Sequence, residues 1–199
     1  MSLDDEDSWQ LATNLDRLLL DASWRRSADP LDRRVIRRWH QIMFKGLKES
    51  TPSEIGVFRG EPPLRQCGVF VRDIMPPHER VFGVSPEHVD RELGLFESEL
   101  RRRLAGTDVT ASVRAKAELA AWAHGEFVRI HPVTNGNGRL ARLIANWVLF
   151  RLRLPCVVRL RPRPEGREYL HAACESMRDG AHSRMADWIV SRIAEESSM

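Results

Sequence analysis

The residues best suited to chemistry are gathered in one run: His131-Pro132-Val133-Thr134-Asn135-Gly136-Asn137-Gly138-Arg139-Leu140-Ala141-Arg142. Proline disfavours helical angles in the residue before it, so a helix arriving from upstream should stop at His131 and turn its imidazole into a loop. Gly136 and Gly138 permit backbone angles that other residues avoid, which lets their amides point inward as a nest. A second helix is expected from about Gly138, and its unpaired N–H groups and positive dipole end would face the same space. Such a terminus binds phosphate readily. Arg139 and Arg142 are spaced to share a helix face, and guanidinium forks match phosphate oxygens. The chemistry implied is a histidine able to take a proton beside a pocket able to hold a polyphosphate. Taken singly, each feature has an ordinary explanation: a turn, solvated arginines, a packed histidine. Their coincidence in one short run is what points to a site.

The elements that must position this run are helices. Thr110 to Ile130 carries an apolar stripe of Leu119, Trp122, Ala123, Phe127 and Ile130, with His124 read as a packed or partly exposed residue. Leu140 to Leu154 is apolar nearly all round and is expected to be the central buried helix. Earlier in the chain, Ser8 can cap a helix running through Leu20, and Asp29-Pro30 can open another reaching about Leu47. That second helix buries Leu31, Val35, Ile36, Trp39, Ile42 and Met43, and its arginines (Arg33, Arg34, Arg37, Arg38) read as a solvated face. Residues 60–77 change character: Pro62-Pro63 opens the stretch, Val69-Phe70-Val71 is a short β-type run, and Met75-Pro76-Pro77 closes it. This predicts a β-hairpin or extended flap. Ser85-Pro86 starts a helix ending near Gly106, and two more helices fit 165–178 and 182–196 after a connection rich in proline and arginine. Residues 1–7 are expected to be a disordered acidic tail. The whole is read as one domain over 1–199, all-α with one small β element.

Composition narrows the function classes. A chain of 199 residues with 42% hydrophobic and 30% charged residues is an ordinary globule with enough length to bury a core. Its net charge of +3 is too small to argue for nucleic acid as a partner, although the pI is near 9.0. Cys67, Cys156 and Cys174 form no CxxC pair and no metal-ligand cluster, which fits a reducing compartment. There is no apolar run long enough for a bilayer and the first residues are acidic, so the expected location is cytoplasmic, with no membrane partner.

The run from His131 to Arg142 also resembles the signature of the Fic family, HxFx(D/E)GNGRxxR, with His131, Gly136, Asn137, Gly138, Arg139 and Arg142 in place. Val133 stands where phenylalanine is usual and Asn135 where an acid is usual. The resemblance extends over about residues 30–193. Gly56-Val57-Phe58-Arg59, Val69-Phe70-Val71 and Pro76-Pro77 are similar in order and spacing to the segment that forms the target-docking flap in Fic proteins. It implies a Fic-type helical bundle and a protein adenylyltransferase, which moves AMP from ATP to a hydroxyl side chain (Ser, Thr or Tyr) of a target protein. On that likeness His131 is the catalytic base. Asn135, Gly136, Asn137, Gly138, Arg139 and Arg142 hold the phosphates, Tyr169 lines the adenine pocket, and Val69, Phe70 and Val71 pair with the target by strand addition.

Mg2+ is the cofactor that the resemblance implies, with Asn135 at the position of its protein ligand. An amide oxygen can ligate Mg2+ but brings no negative charge. Three outcomes stay open: slower AMP transfer with weakly held metal, transfer of a different phosphate-containing group with less reliance on metal, or nucleotide binding without turnover. Many relatives are restrained by a helix bearing (S/T)xxxE(G/N). Ser191-Arg192-Ile193-Ala194-Glu195 matches its first five positions, and Glu196 breaks it. That leaves inhibition to a partner protein or to none.

Overall fold

In a computed structural model of the chain, residues 9–20, 31–47, 51–72, 80–161 and 163–198 are described here. Among them the order is α1 (Trp9–Leu20), α2 (Arg33–Phe44), strands β1 (Phe70–Arg72) and β2 (Arg80–Phe82), then α3 (Pro86–Gly106), α4 (Val113–Ile130), α5 (Asn137–Arg151), α6 (Arg167–Asp179) and α7 (Ser183–Glu196). The all-α reading with a small hairpin is correct. The expected tail at 1–7, the Ser8 cap and the Asp29-Pro30 start lie outside the described residues. The cap observed on α2 is Asp32, whose carboxylate accepts from the Arg34 and Val35 amides.

Helix α4 is the hub, packed against α3, α5, α6 and α7, while α1 lies on α2 and α2 reaches α5. Its burial follows from small residues: Ala117, Ala120, Ala121 and Ala123 are all inaccessible and let neighbours approach. Helix α5 contributes Leu140, Leu143, Ile144, Trp147 and Val148 to the same core, as its all-round apolar pattern predicts. Phe150, near its end, is partly exposed, and so are Trp9 and Leu20 at the two ends of α1. No helix among the described residues is long and apolar enough to cross a membrane.

Two expectations change. The hairpin pairs Phe70 with Phe82, Val71 with Val81 and Arg72 with Arg80, so its second strand lies beyond Pro76-Pro77 instead of ending there. Proline has no N–H for a ladder, and Val81-Phe82 supplies the β-type residues that can pair. Residues 60–67 instead form turns closed by Gly60 on Leu64, Glu61 on Phe58 and Cys67 on Leu64. The α2 arginines are also not a plain solvated face. Arg33 pairs with Glu97 and Asp90 of α3, and Arg37 donates to both oxygens of Glu61 and to the Gly56 carbonyl. These pairs tie α2 to its neighbours and use up much of the positive charge.

Candidate functional site

The segment between α4 and α5 is held from four directions. His131 closes α4 in the left-handed conformation (φ 53, ψ 56), its amide still donating to the Phe127 carbonyl. That conformation costs a residue with a side chain about 1–2 kcal/mol, so neighbours must enforce it. Arg59 does so: its amide donates to the Pro132 carbonyl at 2.8 Å and its Nε to the His131 carbonyl at 2.7 Å. Thr134 donates its hydroxyl to Glu54 at 2.8 Å. His40 accepts from the Gly56 amide at Nδ1, so its proton sits on Nε2, which donates to the Asn135 carbonyl at 3.1 Å. Burial pushes His40 down to about 4, which keeps it neutral in that bridge. Val133 is fully buried, as an apolar anchor should be.

Gly136 caps α5 at φ +86, and a Cβ there would also come within 2.8 Å of the Phe44 ring, so glycine is required twice over. Gly138 does not use left-handed freedom. It sits in the first turn of α5, which begins at Asn137, one residue before the expected start. The Asn137 side chain has a different task from the phosphate contact predicted for it. Its Oδ1 accepts from the Val133 amide at 3.1 Å and its Nδ2 donates to the Val133 carbonyl at 2.7 Å. It therefore closes the loop on itself and leaves the backbone amides at the start of α5 to meet an anion.

The cleft that opens there has a volume of about 250 Å³. It is lined by every residue predicted for the catalytic and nucleotide roles: His131, Asn135, Gly136, Asn137, Gly138, Arg139, Arg142 and Tyr169. The imidazole of His131 is oriented by its own helix. A carbonyl can only accept, so the 3.0 Å contact between Nδ1 and the Val128 carbonyl places the proton on Nδ1 and the free lone pair on Nε2. Burial pulls this histidine down to about 4; the Val128 carbonyl opposes that shift and the Arg59 charge adds to it. At neutral pH the ring is an uncharged acceptor at the edge of the cleft.

Arg139 and Arg142 are both nearly inaccessible. Arg142 is committed to the protein itself, its Nη2 donating to the Leu160 carbonyl at 3.1 Å and its Nη1 to the Tyr169 hydroxyl at 3.3 Å. That hydroxyl also meets Nε2 of His124 at 2.9 Å. His124 is thus wholly buried and not partly exposed; burial first, then the nearby Arg142 and His182, push it down to about 3. Tyr169 borders the cleft while its hydroxyl bonds to Arg142 and His124, which makes it a support for Arg142 as much as a wall. Sequence reasoning missed the rest of the lining. Arg163 enters from the connection that Asn146 pins through two bonds to Val158, and Leu170, Ala173 and Met177 of α6 form an apolar shelf. The helical spacing of 170, 173 and 177 was legible; that this face meets the loop was not.

The donor chemistry does not fit a Mg2+ site. No aspartate or glutamate is among the described residues lining the cleft, Asn135 is exposed, and three guanidinium groups border the same space. Mg2+ favours carboxylate and phosphate oxygens. The cleft suits an anion, and its positive charge comes from the arginines and the amides of α5.

The hairpin reaches this site through its end. The Gly83 amide donates to the Val69 carbonyl at 3.2 Å, and a Cβ on Gly83 would lie 2.6 Å from the Cβ of His131. A larger cavity of about 570 Å³ lies elsewhere, between α1 and the connection, lined by residues such as Leu15, Asp16 and Arg159. Nothing in it resembles a base beside an anion cradle. In the last helix, Glu195 pairs with Arg192 on its own helix.

A helical bundle whose central helix pair carries a histidine, a glycine-capped anion cradle and two buried arginines defines the class, and comparison with known families agrees. The Fic/DOC family model matches residues 30–149, and the chain belongs to that family. Among curated relatives it is 32% identical over 134 residues to the protein adenylyltransferase Fic of Nematostella vectensis; the match covers 67% of this chain but 27% of that protein. Among solved structures it superposes on a Fic-domain signaling protein of Bacteroides thetaiotaomicron with a TM-score of 0.66 and 18% identity, covering 94% of this chain and 67% of that one. It also superposes on the BepC protein of Bartonella tribocorum with bound AMPPNP, with a TM-score of 0.64 and 18% identity, over 93% and 83% of the two chains. These likenesses show the fold.

Proposed function

We propose that this chain is a protein adenylyltransferase, transferring AMP from ATP to a Ser, Thr or Tyr hydroxyl of a target protein. The observation that carries the reading is the state of His131: Nδ1 is held by the Val128 carbonyl, which leaves Nε2 as the acceptor on a ring that lines the same cleft as the first turn of α5. The name of the Nematostella relative and the AMPPNP bound to BepC support the choice of ATP. In the reaction, Nε2 takes the proton of the target hydroxyl as its oxygen attacks the α-phosphorus. The bond from that phosphorus to the bridging oxygen of the β-phosphate breaks, and pyrophosphate leaves with the electron pair. The α5 amides and Arg139 meet the charge that grows on the phosphate oxygens. Arg142, fixed by Leu160 and Tyr169, keeps a second positive charge beside them, and the shelf of Leu170, Ala173 and Met177 takes the base.

The target docks as an added strand on the hairpin, along Val69, Phe70 and Val71. The end of that hairpin abuts His131, which brings a bound hydroxyl to the base. The single domain over 1–199 and a cytoplasmic site of action belong to the same reading. The test is incubation with α-labelled ATP and a cell lysate: protein becomes labelled with the native chain and not with His131→Ala, while ATP still binds the variant by calorimetry. A variant that labels as well as the native chain overturns the role of His131.

A second reading is favoured by the exposed Asn135 and the lack of carboxylates among the described residues that line the cleft: a module that holds nucleotide without turning it over. It predicts ATP binding with no transfer, and transfer appearing in Asn135→Asp when Mg2+ is added.

A further inference from the structure

Arg59 is 1% exposed, and no carboxylate pairs with it among the described residues. A buried guanidinium without an anion needs some other compensation. Here it is four main-chain carbonyls. Nε donates to His131 at 2.7 Å, Nη1 to Cys67 at 3.2 Å, and Nη2 to Val84 at 2.7 Å and to Ile130 at 2.9 Å. Ile130 and His131 close α4, where a helix presents its negative end. Cys67 and Val84 lie just before β1 and just after β2. The guanidinium therefore gathers the roots of the hairpin and the residue bearing the imidazole into one unit. Gly83 makes this approach possible, because a Cβ there would also come within 3.0 Å of Arg59 Nη2.

We infer that Arg59 is a positioning residue: through the His131 carbonyl it fixes the direction in which Nε2 enters the cleft, and it locks that direction to the hairpin on which a target would dock. The inference rests on His131 being the base proposed above. The side-chain bonds of Arg59 run to His131, Cys67, Val84 and Ile130 and not to residues 136–142, so its loss should spare nucleotide binding. Lysine places a single charge with three donors near the carbonyls, whereas methionine fills the space and donates nothing.

The test compares Arg59→Met, Arg59→Lys and Ser112→Ala. The last removes the cap that accepts from the Ala115 amide, at the opposite end of α4 from His131, and controls for loss of stability. Three quantities are read on each folded protein: the ATP dissociation constant by calorimetry, the rate of label transfer, and the ¹⁵N shifts of the His131 ring. Misplacing a reacting group by about 1 Å costs roughly 100-fold in rate, so Arg59→Met should lose about that factor with ATP affinity changed less than about threefold. Arg59→Lys should recover part of the rate, and Ser112→Ala should change neither quantity. In the native chain the ring shifts should report a proton on Nδ1 and a bare Nε2, with that fixed tautomer lost in Arg59→Met; if Arg59→Met does not fold, Arg59→Lys must show the same change in smaller measure. A native tautomer that persists in the variants, or equal losses of affinity and rate, overturns the inference. If the native chain transfers no label, the transferase reading has failed, and the ring shifts alone decide whether Arg59 positions His131.

Discussion

Replacing Gly83 with alanine should displace His131 and little else. The added Cβ would meet the Cβ of His131 at 2.6 Å, Arg59 Nη2 at 3.0 Å and the Ile130 carbonyl at 3.3 Å. Carbon atoms in contact sit about 3.5–4.0 Å apart, so the histidine must yield by roughly 1 Å. The rest of the surroundings cannot easily yield in its place, since Arg59 is fixed by four carbonyls and α4 is the hub of the core. Overpacking of this kind costs about 1–3 kcal/mol, which in a chain of this size lowers Tm by about 2–12 °C. The catalytic loss should be larger in proportion, about 100-fold in transfer rate for a shift of that length. Calorimetry should find ATP affinity nearly unchanged, because Gly136 to Arg139 lie beyond the pinned loop. The informative assay is the transfer rate measured beside Tm and the His131 ring shifts. A Gly83→Ala protein with native ring shifts, native Tm and native transfer would refute the claim that hairpin and histidine are in fixed contact.

Acid should destabilise the fold through its neutral buried histidines. His40 is held down to about 4 and His124 to about 3, both mainly by burial, against about 6.5 in the unfolded chain. The unfolded state therefore binds more protons below pH 6.5, and stability falls as pH drops from there towards 4, by up to about 1.4 kcal/mol per pH unit for each histidine. Urea titrations at pH 7.5, 6 and 5 check it, and an unchanged midpoint across them would contradict it. For His131, at about 4, kcat/KM for transfer should be flat near neutrality and fall below about pH 5 as Nε2 becomes protonated. Asn137→Ala should lower stability by about 1–3 kcal/mol, because the buried amide and carbonyl of Val133 lose their partner. It should weaken ATP binding as well, which separates a loop-closing asparagine from a decorative one.

Much of this molecule was legible in the sequence because the relevant physics is local. Periodic leucines and alanines placed α4 and α5, and Pro132 and Gly136 marked the break between them. Seven of the eight residues assigned to base and nucleotide line one cleft because a loop and the helix turn that follows it cannot spread far apart, and Tyr169 joins them from α6. What was misread depends on which partner a residue meets, and residue types alone do not name that partner. Asn137 looked like a phosphate ligand until its side chain was seen to close on Val133. The hairpin's second strand followed the prolines, since register depends on a partner that local composition does not name. Arg59 stood out only as part of a flap-like run, and His40 and Gly83 carry no local mark that separates them from other histidines and glycines. Their importance comes from meeting His131 and Asn135 across 72 and 95 positions for the first two.

The central claim is that the acceptor nitrogen of His131 and the seat of a triphosphate share one cleft, and a structure of the chain with a non-hydrolysable ATP analogue measures this directly. The account predicts phosphates against the Gly136–Arg139 amides, the base over Leu170, Ala173 and Met177, and the α-phosphorus on the side of the cleft that His131 Nε2 faces. An analogue seated in the larger cavity beside α1, or an imidazole turned away from the α-phosphorus, would contradict it.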